Sequence, residues 1–290
     1  MQQHHVANVA PKRVRISHLM EKKKRGEKIT ALTAYDYTLA RILDRSGVDV
    51  ILVGDSMGMV ALGYDTTVPV TLDQMVHHTA AVRRGVKRAL LVADMPFLTY
   101  EVSPEQALLN AGRLMQEGGA DAVKLEGGRP IAAAVRRLVE AGIPVMGHLG
   151  MTPQSVHQMG GFRVQGKTEA EAERLIADAK ALEAAGAFSI VLELIPASLG
   201  RRITEAVSIP TIGIGAGPAC DGQVLVTQDM LGMFDELKPR FVKQYAAIGT
   251  EIETAVQRYI ADVVSGAFPA AEHSIGSVDE KVDDQAESGS

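Results

Sequence analysis

Val48-Asp-Val-Ile-Leu-Val-Gly-Asp55 decides how this chain folds. Its apolar run, Val48–Val53, is too short for a helix and is rich in β-branched residues. It stops at a glycine and an acid. Doubly buried parallel strands read this way, because both faces of the sheet are covered. Seven more runs of the same kind follow or precede it: Ile29–Ala34, Ala89–Ala93, Ala122–Leu125, Pro144–His148, Ser189–Leu192, Thr211–Ile214 and Gln223–Val226.

The segments between the runs carry helix-start signals. Thr71 with Gln74, Ser103 with Gln106, and Thr168 with Glu171 have capping-box spacing, and Pro104 stands at a first helical position. Helices are expected over 72–84, 105–117, 131–140 and 170–185, with others over 38–46, 198–206 and 240–265. Eight strands with crossover helices point to an α/β (β/α)8 TIM barrel. An extra helix at Ile16–Glu21 precedes the first strand. Only Gly215–Gly222 separates strands seven and eight, so that crossover is expected to be shortened.

The chain has 290 residues, of which 46% are hydrophobic and 22% charged, with one Cys and no Trp. That is ample for a core and excludes wholesale disorder. One thiol, Cys220, excludes an internal disulfide and a Cys-rich zinc site. The organisation expected is a flexible N-terminus over 1–15, a barrel over 16–270 and a disordered acidic tail over 271–290. The tail holds six acids and one base, which accounts for the whole net charge of −5. That balance argues against nucleic acid as a partner. Lys22-Lys-Lys-Arg25 reads as the solvated end of a helix. The longest uncharged stretch, Ala141–Phe162, holds five Gly and two Pro and cannot span a membrane. No signal-peptide core precedes Pro11, so a cytoplasmic protein is expected.

In such a barrel, chemistry gathers at the C-terminal ends of the strands. Those ends are acidic: Asp36, Asp55, Asp94, Glu126 and Glu193 follow strands one, two, three, four and six, and His148 lies on strand five. Converging carboxylates repel one another unless a cation neutralises them or their pKa values rise. Asp55, Asp94 and Glu126, with no Cys and no paired His, favour a hard metal, Mg2+. Lys124 shares a strand face with Glu126. It could pair with that acid, bind a substrate carboxylate or form a Schiff base. Glu193, in an apolar run, suits a general base whose pKa is raised by burial. Gly213-x-Gly215-x-Gly217 is not a dinucleotide fingerprint, because its third glycine is misplaced. It either lets the backbone approach a ligand or makes a tight turn.

Thr33-Ala-Tyr-Asp-Tyr, Val53-Gly-Asp-Ser-Met-Gly-Met-Val, Ala93-Asp-Met-Pro-Phe, Val123-Lys-Leu-Glu-Gly-Gly, Gly147-His-Leu-Gly-Met-Thr-Pro-Gln-Ser and Leu192-Glu-Leu-Ile-Pro follow one another along the chain. Taken in that order, they resemble the ketopantoate hydroxymethyltransferase family. The match runs from about Ile16 to His273. The resemblance implies a one-carbon transferase of pantothenate synthesis. It would move a unit from 5,10-methylenetetrahydrofolate to 3-methyl-2-oxobutanoate, giving 2-dehydropantoate through a Mg-stabilised enolate. It also implies a homodecamer of two stacked pentamers. On the same resemblance, Asp55, Asp94 and Glu126 hold the metal. Asp55, Ser56, Asp94 and Lys124 bind the 2-oxo acid, and Glu193 is the proton acceptor. Two rivals stand beside it. A Mg-dependent lyase or mutase of the isocitrate lyase/phosphoenolpyruvate mutase type would share the barrel, but the chain has no Cys-Gly-His loop. A non-catalytic ring scaffold would give Lys124 and three acids no reason to meet.

Overall fold

A computed structural model describes residues 12–236 and 239–275. Eight parallel strands close into a barrel in sequence order: β1 (Ile29–Thr33), β2 (Val50–Val53), β3 (Leu90–Asp94), β4 (Ala122–Glu126), β5 (Val145–Gly150), β6 (Ser189–Glu193), β7 (Thr211–Ile214) and β8 (Gly222–Leu225). The helices are α1 (Ile16–Arg25), α2 (Tyr37–Ser46), α3 (Met57–Val60), α4 (Leu72–Gly85), α5 (Pro104–Gln116), α6 (Ala132–Glu140), α7 (Val156–Met159), α8 (Glu169–Ala184), α9 (Ala197–Ala206), α10 (Thr227–Met230) and α11 (Ile248–Ser265). No helix separates β7 from β8, as the short spacing implied. Among the described residues no helix is long and apolar enough to cross a membrane.

Reciprocal capping boxes open α4 and α8 at Thr71/Gln74 and Thr168/Glu171. At α5 only half the expected box forms: Ser103 Oγ accepts from the Gln106 N–H, with no reciprocal bond.

Strand alternation divides the core in two. Ile51, Val53, Leu91, Ala93, Val123, Leu125, Ile190 and Leu192 point outward and pack beneath the helices. Ile29, Ala31, Val50, Leu52, Leu90, Val92, Ala122, Met146, Val191, Ile212 and Val224 point inward and fill the barrel. Asp94, Lys124, Glu126, His148 and Glu193 continue that inward parity, an even number of residues further along each strand. The barrel interior is therefore apolar below and charged above. The register keeps the charged residues adjacent: Asp94 pairs with Lys124 and Glu126 with His148.

The lower end is closed by α1, whose Leu19 is fully buried in the inner core. The basic run at its end is not simply solvated. Lys22 Nζ lies 2.6 Å from Asp49, and Lys23 Nζ lies 2.9 Å from Asp221. Residues 12–15, expected to be loose, are tied down: the Val14 N–H donates to the Arg88 carbonyl at 2.7 Å. Residues 271–273, expected to begin the tail, form a short 3-10 turn. The remainder of both expected termini, 1–11 and 276–290, lies outside the described residues.

The helix expected over 240–265 begins only at Ile248, and none of its residues is buried. Its apolar side chains recur at Ile252, Val256, Tyr259, Ile260 and Val263, the spacing of one helical face. Amphipathic periodicity had the right period, but that face does not pack on this chain's own barrel.

Asp49 Oδ2 accepts from Lys22 Nζ, the Thr30 N–H and Thr30 Oγ1. Burial pushes its carboxyl up, but Lys22 and Thr30 outweigh burial and hold it below the ordinary value. Asp49→Asn is expected to lower unfolding stability by about 1.5–3 kcal/mol at pH 7. A depressed folded pKa stabilises above the unfolded value and loses that effect as pH falls through the folded one. The difference between the two proteins should therefore close below about pH 4. Denaturant titrations at several pH values check this, and a gap that did not narrow as the pH was lowered would contradict it.

Candidate active site

The upper end of the barrel opens into a cavity of about 520 Å³ lined by Asp55, Ser56, Asp94, Lys124, Glu126, His148 and Glu193. Every residue assigned to the site from sequence reaches it. Asp36 does not: it is exposed and caps α2, accepting from the Leu39 N–H at 2.9 Å. An acid just after a strand serves equally well as a helix cap.

Asp55, Asp94, Lys124, Glu126 and His148 are all buried. Each of the three carboxylates has one oxygen tied to the protein. Asp94 Oδ2 accepts from the Asp55 N–H at 3.0 Å. Asp55 Oδ2 accepts from Gln154 Nε2 at 2.8 Å, and Glu126 Oε2 from the Gln154 N–H at 3.0 Å. Asp94 Oδ1 and Glu126 Oε1 are buried without a hydrogen bond. Both approach Lys124 Nζ, at 3.2 and 4.0 Å.

His148 stands between two acids, its Nδ1 3.3 Å from Glu126 and its Nε2 3.2 Å from Glu193. Burial and Lys124, 3.1 Å from Nδ1, pull its pKa down. Glu126 and Glu193 outweigh them and push it up to about 9. Burial likewise opposes charge on Lys124, but Asp94, Glu126 and Asp55 hold its pKa above the ordinary value. Its 3.2 Å contact with Asp94 makes Lys124 an ion-pairing group in this structure. Burial, then Asp94 and Glu126, push Asp55 well above the carboxylate range. Burial raises Asp94 too, despite Lys124. Glu126 is held low, because His148 and Lys124 outweigh its burial.

Glu193 is not the isolated buried acid expected. Its side chain is 16% exposed and His148 faces it. The next residue, Leu194, has φ +49°, a left-handed conformation rare for leucine. Backbone bonds hold it there: the Leu194 N–H donates to Ile214, and the Gln165 N–H donates to the Leu194 carbonyl. Such strain recurs at functional sites. Gly150, paired with Glu193, has φ +96°, and a Cβ there would sit 2.1 Å from the Glu193 carbonyl oxygen, so only glycine fits.

Several supporting contacts were not assigned from the sequence. Gln154 Nε2 also donates to the Met95 carbonyl, while its Oε1 accepts from the Tyr100 hydroxyl at 2.6 Å. Tyr35 OH and Ser56 Oγ are 2.9 Å apart. Asp229, on α10, also lines the cavity. The one available clue was that it follows a strand, like the acids already noted. Gly215 answers the open question about its motif: the Phe241 ring lies against its backbone, where a Cβ would be 2.9 Å from the ring.

Four carboxylates faced by two cationic side chains leave a surplus of negative charge. Among the described residues no three His, Cys, Asp or Glu side chains form a ready-made metal site. Lys124 stands close to the two orphaned oxygens that would belong to one. Mg2+ usually needs only one or two carboxylates, with water and substrate oxygens completing its shell. The all-oxygen donor set and the two orphaned oxygens fit that ion.

A family profile described as Ketopantoate hydroxymethyltransferase matches residues 13–271. The 3-methyl-2-oxobutanoate hydroxymethyltransferase of Moorella thermoacetica is 60% identical over 262 residues, 90% of this chain and 97% of that protein. A protein of the same name from Dehalococcoides mccartyi is 60% identical over 270 residues, 93% of this chain and 96% of its own. Among solved structures, phosphonopyruvate hydrolase in complex with oxalate and Mg++ has a TM-score of 0.59 at 12% identity, covering 92% of this chain and 93% of that one. A 2,3-dimethylmalate lyase of the PEP mutase/isocitrate lyase superfamily has a TM-score of 0.57 at 15% identity, covering 92% and 90%. These two structures share the fold.

Gln154→Leu should lower stability by about 2–4 kcal/mol, because it strips a buried donor from Asp55 and an acceptor from Tyr100. Chemical denaturation measures it. A change under about 0.5 kcal/mol, the range of an ordinary surface substitution, would contradict the role of this amide.

Proposed function

Since the chain belongs to the ketopantoate hydroxymethyltransferase family and is a transferase, we propose that it moves a one-carbon unit from 5,10-methylenetetrahydrofolate to 3-methyl-2-oxobutanoate, forming 2-dehydropantoate for pantothenate synthesis. The observation that carries this reading is an acid-lined pocket that holds one buried lysine, Lys124, with a candidate base at its rim. Lys124 and the acids around it suit a small 2-oxo acid. Glu193 reaches the same cavity from the neighbouring side of His148.

On this reading Lys124 and Ser56 bind the substrate carboxylate, and Asp55 and Asp94 contribute to orienting it. The Tyr35 contact steadies the Ser56 hydroxyl. Asp55, Asp94 and Glu126 would hold Mg2+. When bound, the ion supplies positive charge that polarises the keto group and stabilises the enolate. Glu193 takes the proton from C3, and His148 keeps that carboxylate oriented. C3 then bonds to the methylene carbon of the donor as one of its two C–N bonds breaks, and the freed nitrogen takes up the proton removed from C3; water displaces the second nitrogen, leaving its oxygen as the product hydroxyl and its proton on the released tetrahydrofolate. The apolar upper wall, including Phe162, Val164 and Phe241, leaves room for a large donor beside the small acceptor.

The proposal extends to a cytoplasmic setting, supported by the lone buried Cys220. It also extends to a homo-oligomer, expected as a decamer. The uncovered apolar face of α11 supports association between copies of the chain.

Formation of 2-dehydropantoate should require both Mg2+ and the folate donor; absence of product with both present would overturn the reading. In Glu193→Gln, 2-oxo acid binding should stay nearly intact, while solvent deuterium exchange at C3 falls by about 10²- to 10⁴-fold. Exchange at the wild-type rate would remove Glu193 from its role.

A further inference from the structure

The cavity has a second polar point far simpler than the first. Asp229, on α10, lines the same cavity as the apolar side chains Met59, Val60, Phe234 and Phe241, with Arg240 also in the lining and Tyr35 near enough to feel its charge. The carboxylate is half-buried and has no hydrogen bond or ion pair among the described residues. Burial is the one influence on it, pushing its pKa up to about 6. Its mounting is rigid. The Thr227 hydroxyl donates to the Thr33 carbonyl at 2.6 Å, and the Thr227 N–H donates to Thr33 Oγ1 at 3.1 Å. Those bonds fasten the start of α10 to the upper end of β1, so Asp229 is held at the cavity rather than swinging in solvent.

A carboxylate in apolar surroundings without a donor is costly, and a ligand that brings donors relieves the cost. A 2-oxo acid brings none, and its charge would be repelled. The matching ligand is flat and largely apolar, with two adjacent N–H groups along one edge. Such an edge meets a carboxylate with two parallel hydrogen bonds, as a guanidinium does. The 2-amino-4-oxopyrimidine edge of a reduced pteridine has that form.

We propose that Asp229 is the recognition residue for the one-carbon donor, its carboxylate accepting the 2-amino and N3 hydrogens of the pteridine while the ring lies against the apolar wall. This rests on the folate-dependent reading above. It divides the cavity by chemistry: the Lys124 cluster takes the anionic acceptor and Asp229 takes the donor-edged ring. Nothing reacts at Asp229, so its effect falls on binding of one substrate.

Asp229→Asn, which keeps the shape, and Asp229→Ala separate the roles. Both should raise KM for 5,10-methylenetetrahydrofolate about tenfold to a hundredfold, the loss of a charge-assisted hydrogen bond. KM for 3-methyl-2-oxobutanoate and donor-free deuterium exchange at C3 should stay within about twofold, since neither process uses this carboxylate. Calorimetry with tetrahydrofolate and its 2-desamino analogue supplies a readout independent of turnover. Wild type should favour the 2-amino compound about tenfold or more, and Asp229→Ala should bind the two alike. An unchanged donor KM in the Asn variant, or discrimination retained in the Ala variant, would overturn the assignment. If the wild-type protein exchanged C3 hydrogen but bound no tetrahydrofolate, the donor reading itself would fall. That outcome is distinct from a wild type that binds folate through other residues.

Discussion

Four carboxylates meet two cationic side chains inside one closed barrel, and the surplus negative charge they leave is the constraint on which the upper half of the molecule is built. Buried charges are tolerated only when paired and hydrogen-bonded. Here the pairing is incomplete by design of the register: Asp94 beside Lys124, Glu126 beside His148, Glu193 across from both. The remaining cost is visible in Asp55, whose carboxyl is pushed well up, first by burial and then by its acidic neighbours. A divalent cation at this end would relieve the same imbalance that raises that pKa.

The neutral residues around the cluster decide which oxygens stay free. Gln154 ties one oxygen of Asp55 through its side chain and one of Glu126 through its backbone, and the Asp55 N–H ties one of Asp94. Tyr100 fixes which way the Gln154 amide faces, since its hydroxyl donates to the amide oxygen. Orphaned oxygens at Asp94 and Glu126 are what this scaffold leaves over. Precise placement of ligands by a supporting shell is a general property of metal and catalytic sites. In this chain the centre of that shell is Gln154, in the Pro-Gln-Ser segment of the loop after β5.

The barrel and its charged mouth were legible because they rest on period and register. Short apolar runs at regular spacing specify parallel strands, and period-2 alternation carries Lys124 and Glu126 to one face. Asp36 shows the limit of that rule, since a strand-end acid also caps helices and only the backbone beyond it decides. Gln154 and Tyr100 were illegible because a neutral amide and a phenol carry no signature until the fold brings distant segments together. The detachment of α11 was hidden for a different reason: an amphipathic stripe has the same period whether it covers its own barrel or a partner. Asp229 was passed over because it lies beyond the end of β8, on α10, rather than at the strand end where the other acids stand.

The central claim is that this cluster is incomplete without a divalent cation and gains its 2-oxo acid together with one. Calorimetric titration of 3-methyl-2-oxobutanoate into the chain, with Mg2+ and again with a chelator, tests it most directly. The account predicts saturable binding heat with Mg2+ and at least about tenfold weaker binding without it, a difference of about 1.4 kcal/mol. Equal affinity under the two conditions would contradict it.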